Sequence, residues 1–425
     1  MSPPPVRRLG APLAASGLVA ILVLTLLPAP QQAAFTALTP LLCLVCGDHG
    51  GSDVLLNLLL FAPMAAGLRL SGWSWRRVVL TSATLSFSVE LLQYFVVPGR
   101  DASLSDLLTN STGSAAAAAL APHLGRLLAP GPALARRFFL GSIALWLAVL
   151  CSSAIVMMPW TPSGRPRNDC TRSPGKADRF SGTVRSVVLN GTALPCDAEV
   201  PRSLPLMAAV KRGDVELEVA TLSGSATGGR AVIHTLRVPR AALLVLAQQG
   251  RSAVFSAPTR GLRLRLYSPI LRLPKAFPPR PGVPVRLEAG IQDRQMWLSS
   301  SHAGERRTAR LALSPSHGWS AILPWGMELG HRLRLFTALW IGGLLFPAAY
   351  WAGFVRQPVR AWGGIAASLV AGLGVLPFLT GYAPAHWSEW LGGGLGVALG
   401  APLHRYAAYL QSRCGSPSTG AYSSS

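Results

Sequence analysis

Charge is scarce in this chain of 425 residues, at 13% Asp, Glu, Lys and Arg, where soluble domains carry about a quarter. Acid is the scarcer sign: 17 Asp and Glu stand against 39 Lys and Arg, for a net +22. Only three of the basic residues are lysine. Six cysteines are too few for a disulfide scaffold of this length. Gly-x-Ser-x-Gly, paired metal-ligand histidines and phosphate-cradling glycine loops are absent. No motif therefore marks nucleophilic, metal or nucleotide chemistry, and no cofactor is expected. Low charge argues against an ordinary cytosolic enzyme. The basic balance alone fits either nucleic acid or a membrane protein with basic loops.

Hydropathy decides between the two. A bilayer-crossing helix needs about 20 mostly apolar residues. The chain offers eight such segments, at about 11–29, 53–70, 77–97, 105–123, 138–158, 333–354, 361–381 and 387–404. With the N-terminus inside, the inner segments carry twelve arginines (Arg7, Arg8, Arg69, Arg76, Arg77, Arg126, Arg136, Arg137, Arg356, Arg360, Arg405 and Arg413), whereas the short outer loops carry Arg100. That bias predicts both termini in the cytoplasm and the segment 160–330 outside. The expected class is a polytopic α-helical membrane protein. Its divisions are a transmembrane domain over 1–159, an extracytoplasmic domain over 160–330, a second transmembrane block over 331–410 and a disordered cytoplasmic tail over 411–425.

The outer segment holds 24 of the basic and 11 of the acidic residues. Its runs Val215–Ala220, Arg230–Leu236, Ala241–Leu246 and Leu262–Tyr267 are aliphatic or alternating, and Gly, Pro and Ser punctuate them. In the last run, Arg263, Arg265 and Tyr267 alternate with Leu262, Leu264 and Leu266. Short strands at near-regular spacing predict an antiparallel β-sandwich. Cys170 and Cys196 are placed to form a disulfide if the compartment is oxidising, and free thiols are the alternative. Cys43-x-x-Cys46 lacks the second ligand pair of a metal site. The acids of this domain are scattered, so no calcium site or other metal is expected. Dispersed arginines without a recognition motif make nucleic acid a poor partner. Membrane lipid and an envelope glycan or lipid-linked precursor fit better.

Ionisable residues inside a membrane are costly and point to function. Three acids fall in the first spans, each with an amide at helical spacing: Asp53 with Asn57, Glu90 with Gln93, and Asp106 with Asn110. Arg100 sits in the Pro98-Gly99-Arg100 turn. Depth reckoned along the helices brings all three pairs to the outer third of the bilayer. Ser82 and Ser86 continue the Glu90 face inward. Gly113, Ala117 and Ala121 form a small-residue face. Pro63 loosens the second span.

These residues resemble the VanZ-like membrane proteins. The resemblance runs from about Asp53 to Leu124. It comprises Asp53, Asn57-Leu-Leu-Leu-Phe61-Ala-Pro63, Gly67, Glu90-Leu-Leu-Gln93, the Pro98-Gly99-Arg100 turn, Asp106, Asn110 and Gly113. It implies a cell-envelope protein linked to teicoplanin-type glycopeptide resistance. Beyond it, Glu216-Leu-Glu218-Val219, Leu262-Arg-Leu-Arg265-Leu266 and Trp319 resemble a concanavalin A-like or laminin G-like extension.

Three functions compete for the polar cluster. It is a pocket for a polar headgroup, with Arg100 on phosphate and carboxylates as acid or base. It carries protons or a cation in a transporter. Or its members bond one another and lock helices. In the last block, Glu389 leads into Gly392, Gly396 and Gly400, as Asp106 leads into Gly113. Close helix packing is the expected reason, with Glu389 solvated at the interface.

Overall fold

The computed structural model describes residues 9–27, 49–97, 103–171, 178–201, 203–226, 228–239, 241–323 and 332–414. The first helical block contains α1 (Gly10–Leu26), α2 (Gly50–Leu60), α3 (Ala62–Leu70), α4 (Trp75–Phe95) and α5 (Leu104–Leu120). α2 and α3 form one rod interrupted at Phe61. Pro63, in the first turn of α3, has no N–H with which to continue the ladder. Ser74 and Ser103 cap α4 and α5, accepting from Arg77 N at 3.3 Å and Ser105 N at 3.1 Å. The short α6 (Leu124–Leu128) leads into α7 (Pro132–Val156), which starts on a proline.

A sandwich domain follows, with one short helix of its own, α8 (Leu204–Arg212). The chain returns through α9 (Leu333–Ala352), α10 (Pro358–Val370), α11 (Leu376–Thr380) and α12 (Trp387–Cys414). Between α10 and α11 a wider π-type turn, Ala371–Val375, precedes Pro377, whose missing N–H could not serve a regular ladder.

Among the described residues, five rods are long and apolar enough to cross a bilayer: Gly50–Leu70, Trp75–Phe95, Pro132–Val156, Leu333–Ala352 and Pro358–Thr380. The other three expected segments are helical as well. However, α1 and α5 span only 17 residues each, and α12 is not among the five. Leu80, Phe95, Leu145, Leu339 and Phe378 stand on the helix exteriors, an arrangement suited to hydrocarbon rather than water. α12 runs through Cys414, and 415–425 lie outside the described residues.

The sandwich strands are β1 (Arg167–Cys170), β2 (Asp178–Arg179), β3 (Thr183–Leu189), β4 (Thr192–Leu194), β5 (Ala198–Glu199), β6 (Val215–Leu222), β7 (Arg230–Val238), β8 (Ala241–Gln249), β9 (Ser252–Ser256), β10 (Ile270–Leu273), β11 (Pro284–Gln292), β12 (Gln295–His302) and β13 (Glu305–Ala312). One sheet runs β10-β9-β8-β7-β1-β5, with β2 pairing parallel to β7; the other runs β13-β12-β11-β6-β3-β4. All other pairings are antiparallel. Their inner faces share one core, in which Leu217, Val219, Leu287 and Leu298 meet Ile233, Leu236, Leu244 and Phe255. Cys170 and Cys196 are disulfide-bonded, with Cα atoms 5.3 Å apart.

Leu262–Tyr267 is not a strand. It is a 3₁₀ turn over Arg260–Leu264, followed by Arg265 at φ 53°. Its alternating pattern is bounded by this left-handed residue, and its backbone serves docking: Gly51 N of α2 donates to Arg265 O at 3.2 Å. The sandwich is seated on one end of the helices. Ser52 Oγ donates to Ala321 O at 2.9 Å and Trp319 Nε1 to Thr337 Oγ1 at 3.2 Å across this junction, while Tyr382 Oη, in the loop after α11, donates to Ala154 O of α7 at 2.7 Å. Arg294 lies 4.3 Å from the Tyr382 ring centroid, a cation–π contact across the same junction.

Candidate functional site

The acids and amides of the first block gather at the helix ends nearest the sandwich. Their bonds run between helices. Asn57 Nδ2 on α2 donates to Asp106 Oδ1 on α5 at 2.7 Å. Asn110 Nδ2 on α5 donates to Ser86 Oγ on α4 at 3.0 Å. Gln93 Nε2 on α4 donates to Thr25 O on α1 at 3.0 Å. Glu90 Oε2 accepts from Ser103 N, the cap of α5, at 2.8 Å. Glu90, Gln93 and Asn110 are buried, whereas Asp53 is exposed at the start of α2. Arg100 lies outside the described residues, as do Cys43 and Cys46.

The backbone packing that permits these bonds depends on Gly113. A Cβ there would overlap the Leu58 carbonyl, next to Asn57. Ala118 and Ala121 continue the buried face, with Ala117 partly buried beside them. Chemically, the cluster presents two carboxyls on neighbouring helices, close enough to act on each other electrostatically. One is fixed by a backbone N–H and the other by an amide. A carboxyl in such a setting can accept hydrogen bonds or hold a proton.

A second polar junction involves a residue that the sequence places in solvent. Glu389, at the start of α12, is 3% exposed. It is buried because the last turn of the sandwich packs over it: Ser314 Oγ donates to Glu389 Oε1 at 3.4 Å, and Ser314 Oγ lies 3.1 Å from His317 Nδ1. The glycines that follow Glu389 pack tightly. Cβ atoms at Gly392 and Gly396 would overlap the carbonyls of Ala338 and Gly342 on α9. Burial pushes His317 down to about 4.

Inside the sandwich, His234 is fully buried. Its Nε2 lies 2.6 Å from Asn168 Oδ1, and Asn168 Nδ2 donates to Pro195 O at 2.9 Å. Because Asn168 Oδ1 only accepts, His234 donates from Nε2. Its Nδ1 is buried without a partner among the described residues. Burial pushes His234 down to about 4, against an opposing pull from Asp169. Burial also pushes Asp169 up, but the Arg237 and Arg167 guanidiniums outweigh it and hold that carboxyl below its ordinary range. A lone histidine in the apolar run Ala-Val-Ile-His234-Thr-Leu was the available sequence signal.

The open face of the β13-β12-β11-β6-β3-β4 sheet carries a polar ladder. Arg286 bridges Glu218 at 2.8 Å and Glu288 at 3.1 Å, and Arg306 bridges Glu288 at 2.7 Å. Trp297 faces Gly290 on one side and Arg310 on the other in register. A Cβ on Gly290 would fall 2.7 Å from Trp297 Nε1, so the indole lies over the glycine. Glu216 is the next residue across that row. The sequence signal was a tryptophan at a polar-face position of an alternating strand. At the end of this face, Arg185, Thr221, Arg286, Ser301 and His302 line an open groove of about 340 Å³.

Among the described residues, no group of three His, Cys, Asp or Glu side chains is placed to hold a metal. Residues 16–127 match the family model described as VanZ/LLP1. The matched region takes in α2 to α5 and Asp53, Asn57, Glu90, Gln93, Asp106 and Asn110. The sandwich and the helices after it lie beyond that match. No curated protein and no solved structure matches the chain.

Proposed function

We propose that this chain is a VanZ-like membrane protein of the cell envelope that recognises an envelope glycan or a lipid-linked glycan precursor on the extracytoplasmic side. In this reading both termini are cytoplasmic, and the sandwich of residues 160–330 lies outside, seated over the polar ends of α2, α4 and α5. Supporting this, Arg69, Arg76, Arg77, Arg126, Arg136, Arg137, Arg356 and Arg360 fall at the opposite ends of the helices or in the connections there. The observation that carries glycan recognition is Trp297 lying on Gly290 in an uncovered sheet face, among Glu216, Glu288 and Arg310. A flat aromatic surface suits the apolar face of a sugar ring, and the surrounding carboxylates and guanidinium suit its hydroxyls. Glu90, Asp106, Asn57, Asn110, Gln93, Asp53 and Arg100 form the companion pocket for the headgroup. The link to teicoplanin-type resistance follows from the resemblance.

Retention of the purified full-length protein on immobilised peptidoglycan and envelope polysaccharide tests this. Wild type is retained, and Trp297→Ala is not. Failure of wild type to bind any envelope glycan overturns the reading. One specific observation favours a second reading, in which the polar cluster only locks helices: its hydrogen bonds join α1, α2, α4 and α5 to one another. Glu90→Gln separates the two. Loss of the resistance phenotype at unchanged membrane abundance supports the pocket, and loss of abundance supports the lock.

A further inference from the structure

The interface between α4 and α5 continues inward beyond the polar cluster. These helices run antiparallel and meet where Asn110 Nδ2 donates to Ser86 Oγ at 3.0 Å. One helical step of four residues on each side of that bond pairs Glu90 with Asp106 in one direction and Ser82 with Ser114 in the other. Ser82, Ser86, Asn110 and Ser114 are all buried. Three of their polar atoms, Ser82 Oγ, Asn110 Oδ1 and Ser114 Oγ, have no hydrogen-bond partner among the described residues. Three unpaired oxygens in one stretch of one helix pair are unusual, because buried polar groups are nearly always paired with protein or with ordered water. In a membrane interior the penalty is greater still.

The surroundings define what fits. Ala65, Val78 and Ala118 pack together near the inner end of this stretch, and Phe61, Met64 and Val89 pack beside it. The three oxygens are two hydroxyls and an amide carbonyl, with no carboxylate among them, which disfavours a cation. A water molecule needs two to four polar partners. It can accept from each serine hydroxyl and donate to Asn110 Oδ1. We propose that the α4–α5 seam is a water-binding site formed by Ser82, Asn110 and Ser114. Its far end, Ser82, lies roughly 12 Å from Glu90 along α4, at about 1.5 Å per residue. This site rests on α4 and α5 alone and is independent of what the sandwich binds.

The test is a double-mutant cycle on the full-length protein in lipid nanodiscs, read as the shift in thermal midpoint. Ser88→Ala, on an exposed face of α4, sets the baseline for the helix preference of alanine. If the seam holds water, Ser82→Ala and Ser114→Ala each lower the midpoint by a few degrees relative to that baseline. The double variant then falls by less than the two shifts combined, because both remove partners of the same water. If the seam is dry, each alanine removes an unsatisfied hydroxyl and the midpoint rises or stays at baseline. Singles that rise or stay at baseline, or shifts that simply add, overturn the proposal.

Discussion

Asn57 Nδ2 donates to Asp106 Oδ1 at 2.7 Å, tying α2 to the first turn of α5. The bond joins residues 49 positions apart in the chain. The two partners are not equivalent under substitution. Asn57→Leu removes the donor that Asp106 Oδ1 accepts from, at a cost of about 1–3 kcal/mol. Asp106→Asn keeps an acceptor for Asn57 and is milder. Thermal melts in nanodiscs check the order: a larger drop for Asp106→Asn than for Asn57→Leu contradicts it.

Gly113 controls the same contact from the backbone. Any Cβ there overlaps the Leu58 carbonyl, and helix backbones cannot give way cheaply. Gly113→Val is therefore expected to lower membrane abundance strongly, and Gly113→Ala to do so in part. Gly141→Ala, where a Cβ meets nothing within 4 Å, serves as the inert comparison. Equal abundance of Gly113→Val and Gly141→Ala would show that α2 and α5 do not approach as described.

Much of this was visible in the sequence, for physical reasons. Polar residues in apolar runs mark themselves, and helical spacing puts Glu90, Ser86 and Ser82 on one face. What spacing could not give was the pairing. It set each acid beside an amide of its own helix, whereas Asn57, Gln93 and Asn110 all bond to other helices. Partner choice depends on packing, which a single segment does not encode. The same limit explains Leu262–Tyr267, whose alternation reads as a strand until Arg265 takes a positive φ. It also explains Glu389, buried by a turn 75 residues earlier in the chain.

The Cys170–Cys196 bond closes a loop spanning 26 positions, which on the chain-entropy account stabilises the sandwich by about 3.5 kcal/mol. A Cys170→Ala, Cys196→Ala double variant should melt several degrees below wild type. Reductant should bring wild type to the same midpoint. A midpoint indifferent to reductant would mean that the closure contributes nothing to the measured transition.

Acid sensitivity between about pH 6.5 and pH 4 is expected from His234 and His317. Burial pushes both down to about 4 from an ordinary 6.5. In that window the unfolded chain binds protons that the folded chain refuses, so the stability each contributes is complete above about 6.5 and lost as pH falls. Each shift corresponds to about 3 kcal/mol when fully expressed, at about 1.4 kcal/mol per unit. For His234 the structural reason is plain: Nε2 already donates to Asn168, and a proton on Nδ1 would be buried without an acceptor. Asp169 acts in a lower window. Its contribution is present above its ordinary 3.8 and fails only as pH falls below that value, so it does not produce the loss above pH 4. His234→Gln keeps a donor for Asn168 but cannot take up a proton. It should therefore narrow the difference in thermal midpoint between about pH 7 and pH 5, and His317→Gln should narrow it further. If both variants keep the wild-type pH dependence, the protons that destabilise the chain bind elsewhere.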